Sequence, residues 1–273
     1  MSTDVVTTVA EATTFLFVPG DRPERFGTAF DTSADVVIID LEDAVAPENK
    51  TAALTATVAA LGGEGVPSDF RALVRVNTID DIPALVAAGT SRLLGVMIPK
   101  ADGVAALDAV ADALPAGLAV VALIETARGV ADARAIAEHP RVTRLAFGAI
   151  DFSADVDATA PAVLDHARAA LVIASRVAEL PAPVESPSTN FTDLDSVESD
   201  ARHARSLGFG GKLCIHPAQL AAVATGFAPT DDEVEWATRV VSLDGGAVQL
   251  DGVMVDKPVV DRAKRILARR NGR

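Results

Sequence analysis

Eight short apolar runs, each followed by a helix-like stretch, leave this chain few ways to fold. The runs fall at residues 15–18, 35–40, 72–77, 95–100, 121–125, 145–151, 182–185 and 212–215. Most are continuous Val, Leu, Ile and Phe, the pattern of strands buried on both faces. The intervening sequence predicts helices over 22–30, 48–61, 80–88, 104–114, 128–138, 161–179, 196–207 and 217–225. Alternation of strand and helix implies a parallel sheet. Eight such units match the size of a (β/α)8, or TIM, barrel. The rival, a doubly wound open sheet, usually carries a Gly-rich phosphate turn after its first strand. Phe17-Val18-Pro19-Gly20-Asp21-Arg22 is not such a turn. The seventh run, Ala182-Pro183-Val184-Glu185, is the weakest strand, and residues 1–13 read as a loose arm.

The barrel is assigned to residues 1–228 and a small C-terminal lid to 229–273. Thr230-Asp231-Asp232-Glu233 has capping-box spacing, which predicts a helix to about residue 241. Gly245-Gly246 ends it. Residues 247–250, the pair Asp251-Gly252 and residues 253–256 form the pattern of a two-residue hairpin. Asp256 then precedes an amphipathic helix with Val259, Val260, Ala263, Ile266 and Leu267 on one face, and reads locally as its N-cap. So small an appendage is expected to pack on its own barrel or on a neighbouring subunit.

Charge excludes some partners. The net charge of -14 over 273 residues lacks the basic footprint that nucleic acid or an anionic membrane would need. The single cysteine, Cys214, lies in a strand-like run and reads as core packing. Asp4 and Glu11 stand where a leader would be basic and then apolar, and no run approaches the roughly 18 apolar residues of a membrane span. A cytoplasmic location is the expectation.

Nearly all the polar residues of interest fall at strand C-termini. They are Glu42 and Asp43 after the second, Arg75 in the third, Lys100 after the fourth, Glu125 after the fifth and Asp151 after the sixth. In a barrel these ends open on one face. Two carboxylates there, Glu125 and Asp151, could hold one hard cation such as Mg2+ and leave its other positions to water or substrate oxygen. Such an ion can polarise a carbonyl and hold a 2-oxo acid. Arg75 could clasp a carboxylate or an oxyanion. Glu42, Asp43 and Lys100 would hydrogen-bond around the ion rather than ligate it. Each acid taken alone could equally be a helix cap, and His216 a strand-end hydrogen-bonding residue.

As a set, several motifs resemble the HpcH/HpaI aldolase and citrate lyase superfamily. They are Phe17-Val18-Pro19-Gly20-x-Arg22-Pro23, Asp40-Leu41-Glu42-Asp43-Ala44-Val45-Ala46-Pro47, Val74-Arg75-Val76-Asn77, Met97-Ile98-Pro99-Lys100, Ile124-Glu125-Thr126-Ala127-x-Gly129, Phe147-Gly148-Ala149-x-Asp151-Phe152 and Gly208-Phe209-x-Gly211-Lys212-x-Cys214-Ile215-His216-Pro217. Within it the chain is similar to citrate lyase β-subunit-like proteins and the malyl-CoA and citramalyl-CoA lyases. The resemblance implies a TIM barrel and Mg2+ dependence, with Mn2+ as a substitute. It also implies reversible carbon–carbon cleavage of a malyl-, methylmalyl- or citramalyl-CoA-type thioester into an acyl-CoA and glyoxylate or pyruvate.

By the same resemblance, Glu125 and Asp151 would ligate the metal and Arg75 would meet the substrate oxygen that becomes anionic. Gly148, Ala149 and Ile150 would line the keto-acid pocket, and Arg22 would meet coenzyme A. Val253-Met254-Val255-Asp256-Lys257-Pro258 resembles the lid of the CoA lyases. In those enzymes the aspartate is the acid/base at the thioester α-carbon and reaches an adjacent subunit's site. A homo-oligomer, trimer or hexamer, is therefore expected. Two alternatives stand beside this one: a metal-dependent aldolase on free hydroxy-oxo acids, and a non-catalytic CoA-binding or citrate lyase-type complex subunit. The first generally uses a histidine near the second strand, and no histidine here precedes His139.

Overall fold

The computed structural model describes residues 5–243, 248–250 and 253–271. It divides into two compact units, residues 1–226 and 227–273. In the first, eight parallel strands close into a barrel in sequence order. They are β1 (Thr14–Pro19), β2 (Val36–Asp40), β3 (Ala72–Arg75), β4 (Leu93–Ile98), β5 (Ala119–Ile124), β6 (Arg144–Phe147), β7 (Val184–Glu185) and β8 (Gly211–Cys214). Pairing of Phe15 with Leu213 and Leu16 with Cys214 joins β1 to β8, so the open-sheet rival is excluded. The helix-like stretches form helices as expected. Several begin with a turn of 3-10 helix, and the one after β5 breaks at Asp132.

Because side chains alternate across a strand, every second residue points into the barrel. Phe15, Ile38, Leu73, Met97, Val121, Leu123, Ala146, Val184 and Leu213 make that interior cluster. It is packed solid, as barrels of this size are. Gly95 is needed where β4 meets β5. Its φ is 145°, and a Cβ there would lie 2.0 Å from the Ala119 carbonyl oxygen.

Two expectations fail. The N-terminal arm is not loose: Val5–Glu11 is a helix. Val9 is fully buried and Val5 and Ala12 join the barrel-interior cluster, at the end where the strands begin. Its Val and Thr residues have weak helix propensity, and tertiary burial overrides that. Arg144, the first residue of β6, ties this segment down. Its Nη1 donates to the carbonyls of Val9 (3.0 Å) and Ala12 (2.6 Å), and its Nε to that of Ala182 (2.8 Å). Full burial pushes the guanidinium down to about 9, which still leaves it charged at neutral pH. The second failure concerns Asp151. The sixth strand stops at Phe147, so Asp151 is not at a strand end but in the first turn of a short helix, Ala149–Asp155.

Cys214 is buried in the barrel wall, and desolvation pushes its thiol up to about 12. A thiol that far above neutral carries almost no thiolate. Iodoacetamide at neutral pH is therefore expected to leave the native protein unlabelled and to modify Cys214 only after denaturation. Mass spectrometry of the two samples reads this directly.

The C-terminal unit pairs a helix, Asp231–Ser242, with another, Lys257–Asn271. The predicted capping box forms in both directions between Thr230 and Glu233. Strands β9 (Val248–Leu250) and β10 (Val253–Val255) pair antiparallel, Val253 opposite Leu250. The glycine break at 245–246 and the Asp251-Gly252 turn lie outside the described residues. Ala237, Val240, Val255, Ala263 and Ile266 give this unit an apolar cluster of its own, which its length alone did not suggest. No helix among the described residues is long and apolar enough to cross a membrane.

Candidate active site

The inward-facing series of several strands runs one pleat beyond the apolar interior, and there it becomes polar. Ile38 is followed two residues on by Asp40, Leu73 by Arg75, Leu123 by Glu125, Ala146 by Gly148 and Val184 by Ser186. These residues line a cavity of about 340 Å3 at the C-terminal mouth of the barrel, together with Phe17, Asp43, Ile150, Asp151 and Ile215. Period-two alternation thus converts a sequence pattern into a site.

Glu125 is 1% exposed. Its Oε1 accepts the Lys100 backbone N–H at 2.8 Å. Burial pushes its carboxyl up to about 7, and the neighbouring Glu42 and Asp151 charges push the same way. A buried carboxylate with one neutral donor and two anionic neighbours is a group in want of a cation. Gly148 makes room for it: a Cβ there would fall 2.5 Å from Glu125 Oε2. Asp151, half-buried, joins Glu125 in the cavity wall. Among the described residues no three or more His, Cys, Asp or Glu side chains converge as a ready metal cage. Glu125 and Asp151 offer two hard oxygen groups that could hold an ion such as Mg2+, with water and substrate completing its shell.

Arg75 stands across the mouth, held as a fixed cation. Its Nε and Nη2 donate to Asp40 Oδ1 and Oδ2 at 2.7 and 2.6 Å, a two-pronged pairing. The Phe17 ring lies 4.8 Å from its guanidinium carbon. Burial lowers the guanidinium's affinity for its proton, but Asp40, Glu42 and Asp43 outweigh that and raise it. Two of its five N–H groups are thus taken by Asp40, and its Nη1 also lies 3.6 Å from Asp43 Oδ2. Glu42 Oε2 is 3.0 Å from Nη1, within ion-pair range but badly aligned for a hydrogen bond, so that oxygen has no hydrogen-bond partner. Glu42 Oε1 accepts from Lys100 Nζ. Burial raises the Glu42 carboxyl despite both cations. Lys100 itself has φ 47°, a left-handed backbone that costs a non-glycine residue on the order of 1–3 kcal/mol. That conformation aims its N–H at Glu125 while its amine reaches back to Glu42.

The structure thus brings together Glu42, Asp43, Arg75, Lys100, Glu125, Gly148, Ile150 and Asp151. Ala149 does not line this cavity, and its N–H is given to Ser186 Oγ. Arg22 is 57% exposed on the loop after β1, near Asp21, and does not line the cavity either. Asp256 belongs to the C-terminal unit, where its Oδ1 accepts the Val259 N–H at 3.3 Å and caps the last helix. Two participants escaped the sequence reading. Asp40 reads locally as the end of a strand; only the register that pairs it with Arg75 reveals it. Ser186 sits just past the short, proline-broken seventh strand, where no pattern marked it.

Comparison with known proteins shows the family. A family model described as HpcH/HpaI aldolase/citrate lyase matches residues 13–217. A (3S)-malyl-CoA thioesterase from Cereibacter sphaeroides is 31% identical over 270 residues, covering 93% of this chain and 93% of that protein. An L-malyl-CoA/beta-methylmalyl-CoA lyase from the same species is 30% identical over 279 residues, covering 89% of this chain and 87% of that one. Among solved structures, protein CitE from Mycobacterium tuberculosis in complex with magnesium, acetoacetate and coenzyme A is similar with a TM-score of 0.82. It is 32% identical, with 96% of this chain and 99% of that one covered.

Proposed function

Because this chain belongs to the HpcH/HpaI aldolase/citrate lyase family, we propose that it is a Mg2+-dependent carbon–carbon lyase acting on a 3-hydroxyacyl-CoA. The products would be an acyl-CoA and a 2-oxo acid, glyoxylate or pyruvate. The observation that carries this is the buried, cation-seeking Glu125 beside Asp151, facing Arg75 in one cavity. The Mg2+ and coenzyme A of the similar CitE structure support the choice of ion and of substrate class.

Glu125 and Asp151 would hold the ion, whose chemistry is to polarise the hydroxyl or carbonyl oxygen and neutralise the keto acid's carboxylate. Arg75, fixed by Asp40 and flanked by Glu42 and Asp43, would turn the N–H groups that Asp40 does not take toward the oxygen that carries charge as the bond breaks. Gly148 and Ile150 shape the pocket wall. In cleavage the 3-hydroxyl gives up its proton to solvent water and the C2–C3 bond breaks. Its electron pair stays with the thioester as an enolate, and the 2-oxo acid departs. Asp256 would then deliver a proton to the α-carbon, from a lid shared between subunits of a homo-oligomer. In condensation it removes that proton. Asp256→Asn is therefore expected to abolish exchange of the acetyl-CoA α-hydrogen with solvent while leaving Mg2+ affinity unchanged. Proton NMR in D2O with a parallel calorimetric titration checks both halves.

A second reading has its own support, since one relative is named for thioester hydrolysis. The deciding experiment supplies malyl-, methylmalyl-, citramalyl- and hydroxymethylglutaryl-CoA with Mg2+. It measures keto acid and free CoA thiol in the same samples. Keto acid without thiol indicates the lyase. Thiol without keto acid indicates the hydrolase and sinks the lyase assignment.

A further inference from the structure

Most of the polar groups at the barrel mouth are carried on strand ends or the turns just past them, but Asp151 is not. It rides on the seven-residue helix Ala149–Asp155, so its distance from Glu125 depends on how that helix is held. Three attachments hold it. Phe152 packs beneath it on Phe147, ring centroids 5.7 Å apart. At its start, the Ala149 N–H donates to Ser186 Oγ at 3.1 Å. At its end, the Asp155 carboxylate accepts the Ala127 N–H at 2.7 Å, two residues beyond Glu125.

Ser186 is in turn gripped on both sides of its backbone. Its N–H donates to Glu185 Oε1 at 3.0 Å, and its carbonyl accepts Lys212 Nζ at 2.6 Å. Glu185 is fixed by Arg168, through Nε at 2.8 Å and Nη2 at 3.1 Å. Glu185 and Lys212 are paired across β7 and β8 and alternate out of phase with the inward series, so they sit outside the barrel wall. Both are buried. Burying charges is costly unless good pairing and hydrogen bonds offset it. Here they hold rigid the one hydroxyl that anchors the Asp151 helix.

We propose that Ser186 and Asp155 are positioning residues that clamp the Asp151 helix between the loops after β5 and β7. In doing so they set the Glu125–Asp151 spacing for an ion the size of Mg2+. This rests on the reading of Glu125 and Asp151 as metal ligands. Mg2+ demands near-octahedral oxygen ligands at about 2.0–2.1 Å, whereas Ca2+ accepts longer and looser shells. A slackened clamp therefore penalises the smaller ion first.

The test is calorimetric titration of the full-length protein with Mg2+ and, separately, Ca2+, without substrate. Glu125→Gln and Asp151→Asn examine the ligands; Ser186→Ala and Asp155→Ala examine the clamp. Each clamp variant is expected to lose Mg2+ affinity by about 10-fold or more, with a smaller loss for Ca2+. Ser186→Thr and Asp155→Asn keep an accepting oxygen and should restore the preference for Mg2+. Asp155 is exposed, so its variants report even if Ser186→Ala fails to fold. Loss of binding in the ligand variants, with clamp variants matching wild type for both ions, overturns the clamp alone. Wild-type binding in Glu125→Gln overturns the metal site beneath it.

Discussion

Glu125→Gln is expected to lower metal-dependent turnover by about 10³-fold, on the order of 4 kcal/mol of barrier. Asp151→Asn should fall with it. The argument is electrostatic. Glu125 is buried, accepts a single neutral N–H and faces Glu42 and Asp151. Only its ionised form attracts a divalent cation strongly, and the amide has no charge to offer. Gln also brings an NH2 where Oε2 had been; that atom sits against Gly148 at the cavity wall. Removing an uncompensated buried carboxylate should also leave the metal-free fold at least as stable as before. Keto-acid release with saturating Mg2+ measures the first effect and a thermal melt in EDTA the second. Turnover retained within a few-fold in both variants would remove the two acids from the chemistry.

Arg144→Ala is expected to cost on the order of 3–5 kcal/mol of stability, roughly 10 °C in melting temperature for a chain of this size. Arg144 is 2% exposed and is the largest of the fully buried side chains. Its truncation strands the carbonyls of Val9, Ala12 and Ala182 without their charged donor. It also opens a void beneath Phe15, whose ring lies 5.4 Å from the guanidinium carbon. Arg144→Lys keeps the charge but cannot span three carbonyls in one plane, so it should recover only part of the loss. Because the residue lies at the end of the barrel remote from Glu125, the folded variant should keep its Mg2+ affinity. A melt unchanged within 2 °C, an allowance of roughly 1 kcal/mol, would show that the N-terminal helix is not held this way.

The barrel was legible because its strands are continuous apolar runs separated by helix-forming segments, a signal local to each run. Glu125 and Arg75 were legible because they stand at the C-terminal ends of such runs, and Gly148 only through the family resemblance. Asp40 was not, since its role exists only through the register that sets it beside Arg75. Asp151 stands on a helix and not on a strand: Leu145 to Phe152 is apolar enough to read as one strand, and the need for glycine at 148, where a Cβ would meet the Glu125 carboxylate, is set from outside the segment. Nothing in the local sequence marks Arg144. Two of its three partners, the Val9 and Ala12 carbonyls, lie more than a hundred residues earlier in the chain. Helix Val5–Glu11 failed on propensity and succeeded on burial. What the sequence withholds is long-range pairing, and each of these misses is an instance of it.

The two-residue step from Leu123 to Glu125 ties the chemistry of this molecule to its scaffold. A single residue inserted into β5 would reverse the facing of everything after it, sending the carboxylate toward the outer helices and an aliphatic side chain toward substrate. Descendants of this gene can therefore lengthen or rewrite the segments after each strand far more freely than the strands themselves. New substrate preferences are expected to arise in those segments, with the inward carboxylate inherited unaltered.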